Sequence, residues 1–207
     1  CQSIYVLLLH RLEAAPENQM WLFSLPSCHS GPADGITLND KIRVTQELLV
    51  SGATIQELNC IRKHLSKIKG GRLIEGLKCD AVSLVMSDVM GDDLSSIASG
   101  TTYFDKTKFV DALKILKKYR LENKISPSVI HRLRLGASDK IPETPKKSKI
   151  PHYIVLTNRD CIQAMQKKSK QLGISFKTIS ISGDIVNATS KLVSLIPKKK
   201  HSCIIIR

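Results

Sequence analysis

The sequence predicts an α/β protein, a parallel sheet with flanking helices, and three observations lead there. From HYIVLTN (152–158) to SCIIIR (202–207) the chain reads strand, helix, strand, helix, strand, the order in which successive strands lie parallel with helices on their faces. AVSLVMS (81–87) is an apolar, β-prone run of strand length between helical stretches. Apolar residues make up 42% of the 207 positions, which suits a folded globular core.

The elements follow in order. Residues 1–31 stand apart as an atypical leader: no glycine precedes Gly31 and no helical or strand period is visible, so little order is expected there. Beyond Ile36, Asn39 or Asp40 is placed to cap a helix through IRVTQELLVSG that Gly52 closes. Thr54 and Glu57 form a capping-box pair for the next helix, and Ile55, Leu58, Ile61, Leu65 and Ile68 recur as its buried stripe. Asn59, Arg62, Lys63 and Ser66 fall on the other side, and Lys69-Gly70-Gly71 breaks the helix. TKFVDALKILKKY (107–119) reads as an amphipathic helix, and PSVIHRLRLG (127–136) as another with proline in its first turn and glycine past its end.

DKIPETPKKSKIP (139–151) is rich in proline and lysine and reads as a linker. It separates a region of motifs (32–138) from a βαβαβ segment (152–207) whose helices are DCIQAMQKKSKQLG (160–173) and DIVNATSKLVSLI (184–196), with the strand ISFKTISI (174–181) between them. The sheet is expected to be incomplete at both ends.

Charge narrows the partners. Lys and Arg number 32 against 18 Asp and Glu, for a net +14, which favours an anionic partner. The excess is local: residues 1–40 hold one basic residue, Arg11, and four acidic ones. Aromatic residues are only 4% and no stacking or recognition motif accompanies the lysines, so specific nucleic-acid binding is not expected; charge alone supplies non-specific binding. The six cysteines show no ligand or CxxC spacing and read as reduced thiols of a cytoplasmic protein. IYVLLL (4–9) is too short to span a bilayer and lacks a basic flank. A hydrolase elbow of the GxSxG type is absent.

Three stretches can carry chemistry. In LNCIRKHLSKIKGG (58–71), Arg, Lys, Ser and Gly together suit a carboxylate or phosphate, although a solvated helix face has the same composition. SDVMGDD (87–93) sets Asp88, Asp92 and Asp93 after a strand, where open α/β sheets bind ligands. Such carboxylates hold Mg²⁺ or orient a hydroxyl, or simply cap the next turn. SGTTYFD (99–105) offers Ser99, Gly100 and Thr102 to line phosphates or to form a turn.

The ordered motifs GPADGITLNDK, LLVSGATIQELNCIRKHLSKIKGGRL, LVMSDVMGDDLSSIASGTT and IPETPK together resemble the glycerate 2-kinase family that carries a MOFRL domain. Some members bear the older name hydroxypyruvate reductase. The resemblance covers about residues 32–205 and implies a Rossmann-like α/β domain that transfers phosphate from ATP, with Mg²⁺, to the 2-hydroxyl of glycerate. Phosphoryl transfer asks for positioning and charge neutralisation more than covalent chemistry. By the family pattern Arg62, Lys63, Ser66 and Lys69, with Asn59, face the anionic substrate or the transferred phosphate, and Gly70 and Gly71 permit close approach. Ser99, Gly100 and Thr102 belong to the same binding site, while Asp88 and Asp92 serve the metal or the attacking hydroxyl.

The chain departs from the family in places. A glycine-rich loop of the type GGGSAL precedes the FSLPADGITL region in the family, whereas here the text is HRLEAAPENQMWLFSLPSCHSGPADGITL. The family continues from the last strand into a GGET segment and the MOFRL domain, and Thr101 replaces the usual proline. The expectation is an impaired kinase, complemented by a separate chain or surviving as a remnant. Two other readings are an oxidoreductase on hydroxypyruvate, for which no GxGxxG fingerprint is present, and a basic protein binding nucleic acid non-specifically.

Overall fold

The computed structural model describes residues 3–10, 19–26, 31–89, 91–181, 185–195 and 201–206. They form an α/β fold in two compact units, divided between Val155 and Leu156. No helix among the described residues is long and apolar enough to cross a membrane.

A four-stranded sheet has the order β2-β1-β3-β4, built from Ser3–His10 (β1), Gln19–Pro26 (β2), Asp80–Ser87 (β3) and His152–Thr157 (β4), the boundary falling within β4. Here the structure differs from the parallel sheet expected: β1 pairs antiparallel with both β2 and β3. It also places two strands in a leader that reads as aperiodic. The runs SIYVLLLH and QMWLFSLP do not alternate, and a continuous apolar run of this length gives no period by which to recognise a strand. At the end of the sheet order lies β4, with Tyr153, Ile154, Val155 and Leu156 all exposed.

Four helices make the core that carries the motifs. Leu38–Val50 (α1) is capped by Thr37, with Asp40 reaching back from the third position of the helix; sequence reading had placed the cap at Asn39 or Asp40. Ile55–His64 (α2) begins with the expected Thr54–Glu57 box. Phe109–Lys118 (α3) packs between α2 and Pro127–Ala137 (α4). Leu48, Ile61, Leu65, Phe109, Leu116 and Leu133, each almost wholly buried, fill the space between them. Glu57 does double duty, because besides its capping role it accepts hydrogen bonds from Lys118 Nζ at 2.7 Å and Tyr119 Oη at 2.8 Å. The Lys118 bond, against the effect of burial and with help from Thr54 and Tyr119, holds its carboxyl down to about 2.

Gly136 is inside α4 rather than past its end. The reason is steric: a Cβ built there would lie 2.2 Å from Cγ and Cδ2 of Phe109. The helix and the ring share that volume.

Residues 139–151, read as a linker, pack against the core. Thr144 is buried and donates from Oγ1 to Asp105 at 3.1 Å, and Glu143 Oε1 accepts from the Phe109 amide at 2.9 Å. Residues 139–151 form no helix or strand, and the two compact units divide after Val155.

The second unit holds Asn158–Gln171 (α5), Ser175–Ile179 (β5), Ile185–Ser194 (α6) and Ser202–Ile206 (β6). Here β5 and β6 pair in parallel, as the alternation of strands and helices predicts.

Asp105 ties the first unit together. Its carboxylate is fully buried and accepts from Lys63 Nζ at 3.2 Å, the Thr107 amide at 3.0 Å, Thr107 Oγ1 at 2.8 Å and Thr144 Oγ1 at 3.1 Å. Burial alone would push this carboxyl up; the Lys63 charge, the Thr107 hydrogen bonds and nearby His64 outweigh it and hold it below its ordinary value. Stability from this group is therefore complete above the unfolded carboxylate value of roughly 3.9 and is lost as pH falls below it.

Two outcomes follow for stability. Asp105→Ala strands the Lys63 ammonium and should cost about 3–5 kcal/mol at pH 7 in urea unfolding, while flattening the loss of stability below pH ~4. Gly136→Ala, which in an open helix would stabilise by roughly 1 kcal/mol, should instead destabilise by about 1–3 kcal/mol because the methyl group meets Phe109. A thermal midpoint that rises in this variant would contradict the packing described.

Candidate functional site

The basic end of α2 and the turn after it meet the loop 95–105. Asn59 is buried; its Oδ1 accepts from Ser99 Oγ at 2.9 Å, and its Nδ2 donates to the Ser96 carbonyl at 3.5 Å. Ser66, also buried, donates from Oγ to the Gly31 carbonyl and accepts from the amides of Ile68 and Lys69, which shapes the turn that ends the helix. Lys69 Nζ donates to the Ala98 carbonyl at 3.0 Å. The Gly70 and Gly71 amides donate to the carbonyls of Ser99 and Gly100, at 3.2 and 2.7 Å.

Six predicted residues (Asn59, Lys69, Gly70, Gly71, Ser99 and Gly100) thus come together in one contact. The glycine pair is needed for that contact. Both have positive φ, and a Cβ would approach Lys63 Cβ and Thr144 Cγ2 at 3.2 Å from Gly70, or the Tyr103 carbonyl at 3.1 Å from Gly71. The groups these two glycines approach are the Lys63 and Thr144 side chains and the Tyr103 carbonyl. Facing them, Ala98, Ser99 and Gly100 adopt φ of 49°, 60° and 61° in succession. Left-handed Ala and Ser each cost of order 1–3 kcal/mol and persist where surrounding bonds hold them.

Lys63 is buried, and its charge is matched by Asp105. Burial tends to raise the Asp93 carboxyl, but hydrogen bonds from Ser96 and Ser95, with the Lys63 charge, bring it below its ordinary value. Arg62 is half-buried and, among the described residues, has no hydrogen-bond or ion-pair partner; burial lowers its pKa. Asp88 is exposed at the end of β3, and Asp92 sits in the following turn with φ of 53°. Thr102 turns elsewhere: it is buried against Ser83 Oγ at 3.0 Å and His152 Nε2 at 3.1 Å, beside the sheet.

Sequence reading missed three residues that organise this region. Asp105 was the last letter of SGTTYFD, and Thr144 lay in IPETPK; neither pattern reveals that the two bond to each other across 39 positions. The third is His64, fully buried, with Nδ1 2.8 Å from the Cys60 carbonyl and its ring edge-on to Phe109 at 4.6 Å. Burial lowers its pKa against the opposing effects of the Cys60 carbonyl, Asp105 and Glu143. A cavity lined by Cys79, Asp80, Lys149 and Pro151 lies at the start of β3 and touches none of the predicted residues.

No group of three or more His, Cys, Asp or Glu able to hold a metal occurs among the described residues. Two carboxylates still suit Mg²⁺, which commonly takes one or two from protein and the rest from water and substrate phosphates. Asp88 and Asp92, whose carboxylates have no hydrogen-bonding partner among the described residues, have that chemistry. The Gly70 and Gly71 amides donate to protein carbonyls and so are not free to cradle a phosphate.

Comparison with known proteins agrees with the motifs. The glycerate 2-kinase of Pyrococcus horikoshii is 36% identical over 161 residues, covering 76% of this chain and 37% of that protein. The D-glycerate 2-kinase of Thermotoga maritima is 35% identical over 182 residues, covering 85% and 42%. A crystal structure of glycerate kinase from Thermotoga maritima superposes with a TM-score of 0.59 at 33% identity, covering 84% of this chain and 43% of that one. The chain spans about two fifths of the length of these relatives. The family described as "Domain of unknown function (DUF4147)" matches residues 26–134, more than half of the sequence, and the chain belongs to that family.

Proposed function

We propose that this chain carries the substrate side of a kinase that transfers phosphate from ATP to the 2-hydroxyl of D-glycerate in the cytoplasm. The observation that carries the reading is the contact in which Asn59, Lys69, Gly70 and Gly71 bond to Ser96, Ala98, Ser99 and Gly100. It sets the cationic end of α2 against the loop that follows Asp88 and Asp92, and phosphoryl transfer asks for such positioning and charge neutralisation.

In this reading Arg62 binds the anionic substrate, and Lys63 is a positioning residue. Asn59, Ser66, Lys69, Gly70, Gly71, Ser99 and Gly100 fix the loop contact, and Thr102 anchors the loop to β3. Asp88 and Asp92 hold Mg²⁺ or orient the hydroxyl; the ion when bound neutralises charge on the transferred phosphoryl group.

The test is a chimera in which residues 32–138 replace the matching segment of the Pyrococcus horikoshii enzyme. Glycerate-dependent ADP release from MgATP is expected from the chimera and little from this chain alone. Arg62→Ala and Asp88→Asn in the chimera should each lower turnover by roughly 10²-fold or more, the usual cost of losing one electrostatic contact in a transition state. A folded chimera without glycerate-dependent release, or variants that leave it unchanged, would overturn the proposal.

A further inference from the structure

His64 closes α2 with its ring fully buried, and both ring nitrogens meet acceptors. Nδ1 lies 2.8 Å from the Cys60 carbonyl, and Nε2 lies 3.4 Å from Oε2 of Glu143. A carbonyl cannot donate, so Nδ1 carries the hydrogen of that contact. A neutral ring then turns a bare lone pair at Nε2 toward a carboxylate that has nothing to donate either. The other neutral tautomer only moves the conflict to Cys60, where the contact is shorter. Either way the arrangement is one proton short, and a second proton between Nε2 and Oε2 satisfies it.

Glu143 is more than a partner for the ring. Its Oε1 accepts from the Phe109 amide at the start of α3. The neighbouring residues 142–146 are tied to the same region: Arg72 donates to the Pro142 carbonyl, Thr144 to Asp105, and Lys146 to the Thr107 carbonyl. The Asp105 amide donates in turn to the Pro145 carbonyl at 2.9 Å. Charges face the pair from every side. Burial opposes a charge on the ring, while the Cys60 carbonyl, Asp105 and Glu143 favour one. Lys63 is engaged by Asp105, and Arg132 from α4 donates to the His64 carbonyl instead of facing the ring. Lys146 Nζ, 3.6 Å from Glu143 Oε2, favours the ionised carboxylate. The Glu143 side chain is 27% exposed, so protons reach the pair from solvent.

We propose that His64 and Glu143 hold one proton jointly, and that this proton is a pH-operated clasp fastening residues 142–146 to the ends of α2 and α3. With the proton in place, Nε2 and Oε2 are joined by a charge-assisted hydrogen bond. When it leaves, a lone pair faces a carboxylate and the two separate, which draws Glu143 away from the Phe109 amide as well. Thr144 follows Glu143 in the chain, so its bond to Asp105 weakens with the clasp. That bond is one of those that hold the partner of Lys63, and a Cβ on Gly70 would lie 3.2 Å from Thr144 Cγ2. The state of the clasp is thereby felt at the glycine turn of the candidate site. The clasp closes as pH falls and opens as pH rises through the titration of the pair, whose midpoint belongs to both groups together.

The test uses the whole chain and needs no turnover, so its failure leaves the kinase reading standing. The His64 ring ¹⁵N and Glu143 ¹³Cδ resonances should titrate with one shared midpoint. Exchange protection of the Phe109 and Asp105 amides, corrected for the intrinsic effect of pH, should fall roughly tenfold or more above that midpoint, the loss of one charge-assisted hydrogen bond. Glu143→Gln separates the proton from the contact. Its Oε1 still accepts from Phe109, and its amide nitrogen donates to the lone pair of a neutral ring, so the link forms without the extra proton. In this variant the His64 titration should move to lower pH, and the protection that the parent chain loses should be retained. Separate midpoints in the parent chain, protection that stays level across about pH 5 to 8, or a His64 midpoint unmoved by Glu143→Gln would each overturn the clasp.

Discussion

The buried carboxylate of Asp105 is the constraint on which the first unit depends. A carboxylate cannot be dehydrated without donors around it, and here the donors come from three separate pieces of chain: Lys63 on α2, Thr107 at the approach to α3, and Thr144 in the stretch 139–151. Satisfying one charge therefore fixes the mutual placement of all three. The apolar core made by Ile61, Leu65, Phe109 and Leu133 supplies most of the burial, but hydrophobic packing is non-directional. Direction comes from the hydrogen bonds.

The consequences run from that point to the candidate site. With Lys63 held, the α2 end and its glycine turn meet the loop 95–100 through Asn59, Lys69, Gly70 and Gly71. These bonds hold Ala98 and Ser99 in a left-handed conformation that neither residue prefers. The same geometry leaves the Arg62 guanidinium without an ion-pair partner among the described residues. Cations are thus divided into those that build the scaffold and those the scaffold leaves available, a division that residue type does not announce.

Much of this was legible in the sequence, for physical reasons. The Thr54–Glu57 box, the stripe from Leu58 to Leu65 and the glycine break were readable because helix periodicity and capping are local. So was the alternation in 152–207, with its parallel pair. The leader strands were not, because continuous apolar runs carry no period, and their antiparallel pairing with β3 is a long-range choice. Gly136 looked like a helix stop, because the ring that excludes its side chain is 27 positions away in Phe109. Lys63 and Arg62 looked equivalent as neighbours on one helix face. Only the fold distinguishes them, by bringing Asp105 to one and not to the other.

The exposed strand β4 has a different kind of consequence. It sits at the end of the sheet order and presents Tyr153, Ile154, Val155 and Leu156 to solvent, a β-branched and aromatic run at an open edge. Such an edge offers unpaired backbone groups to any strand that comes near. Lys146, Lys147 and Lys149 precede it in the sequence, and lysine next to an edge strand discourages pairing between copies, less so as salt screens the charge. Positive charge placed beside such an edge keeps copies apart, a use of lysine different from attracting anions.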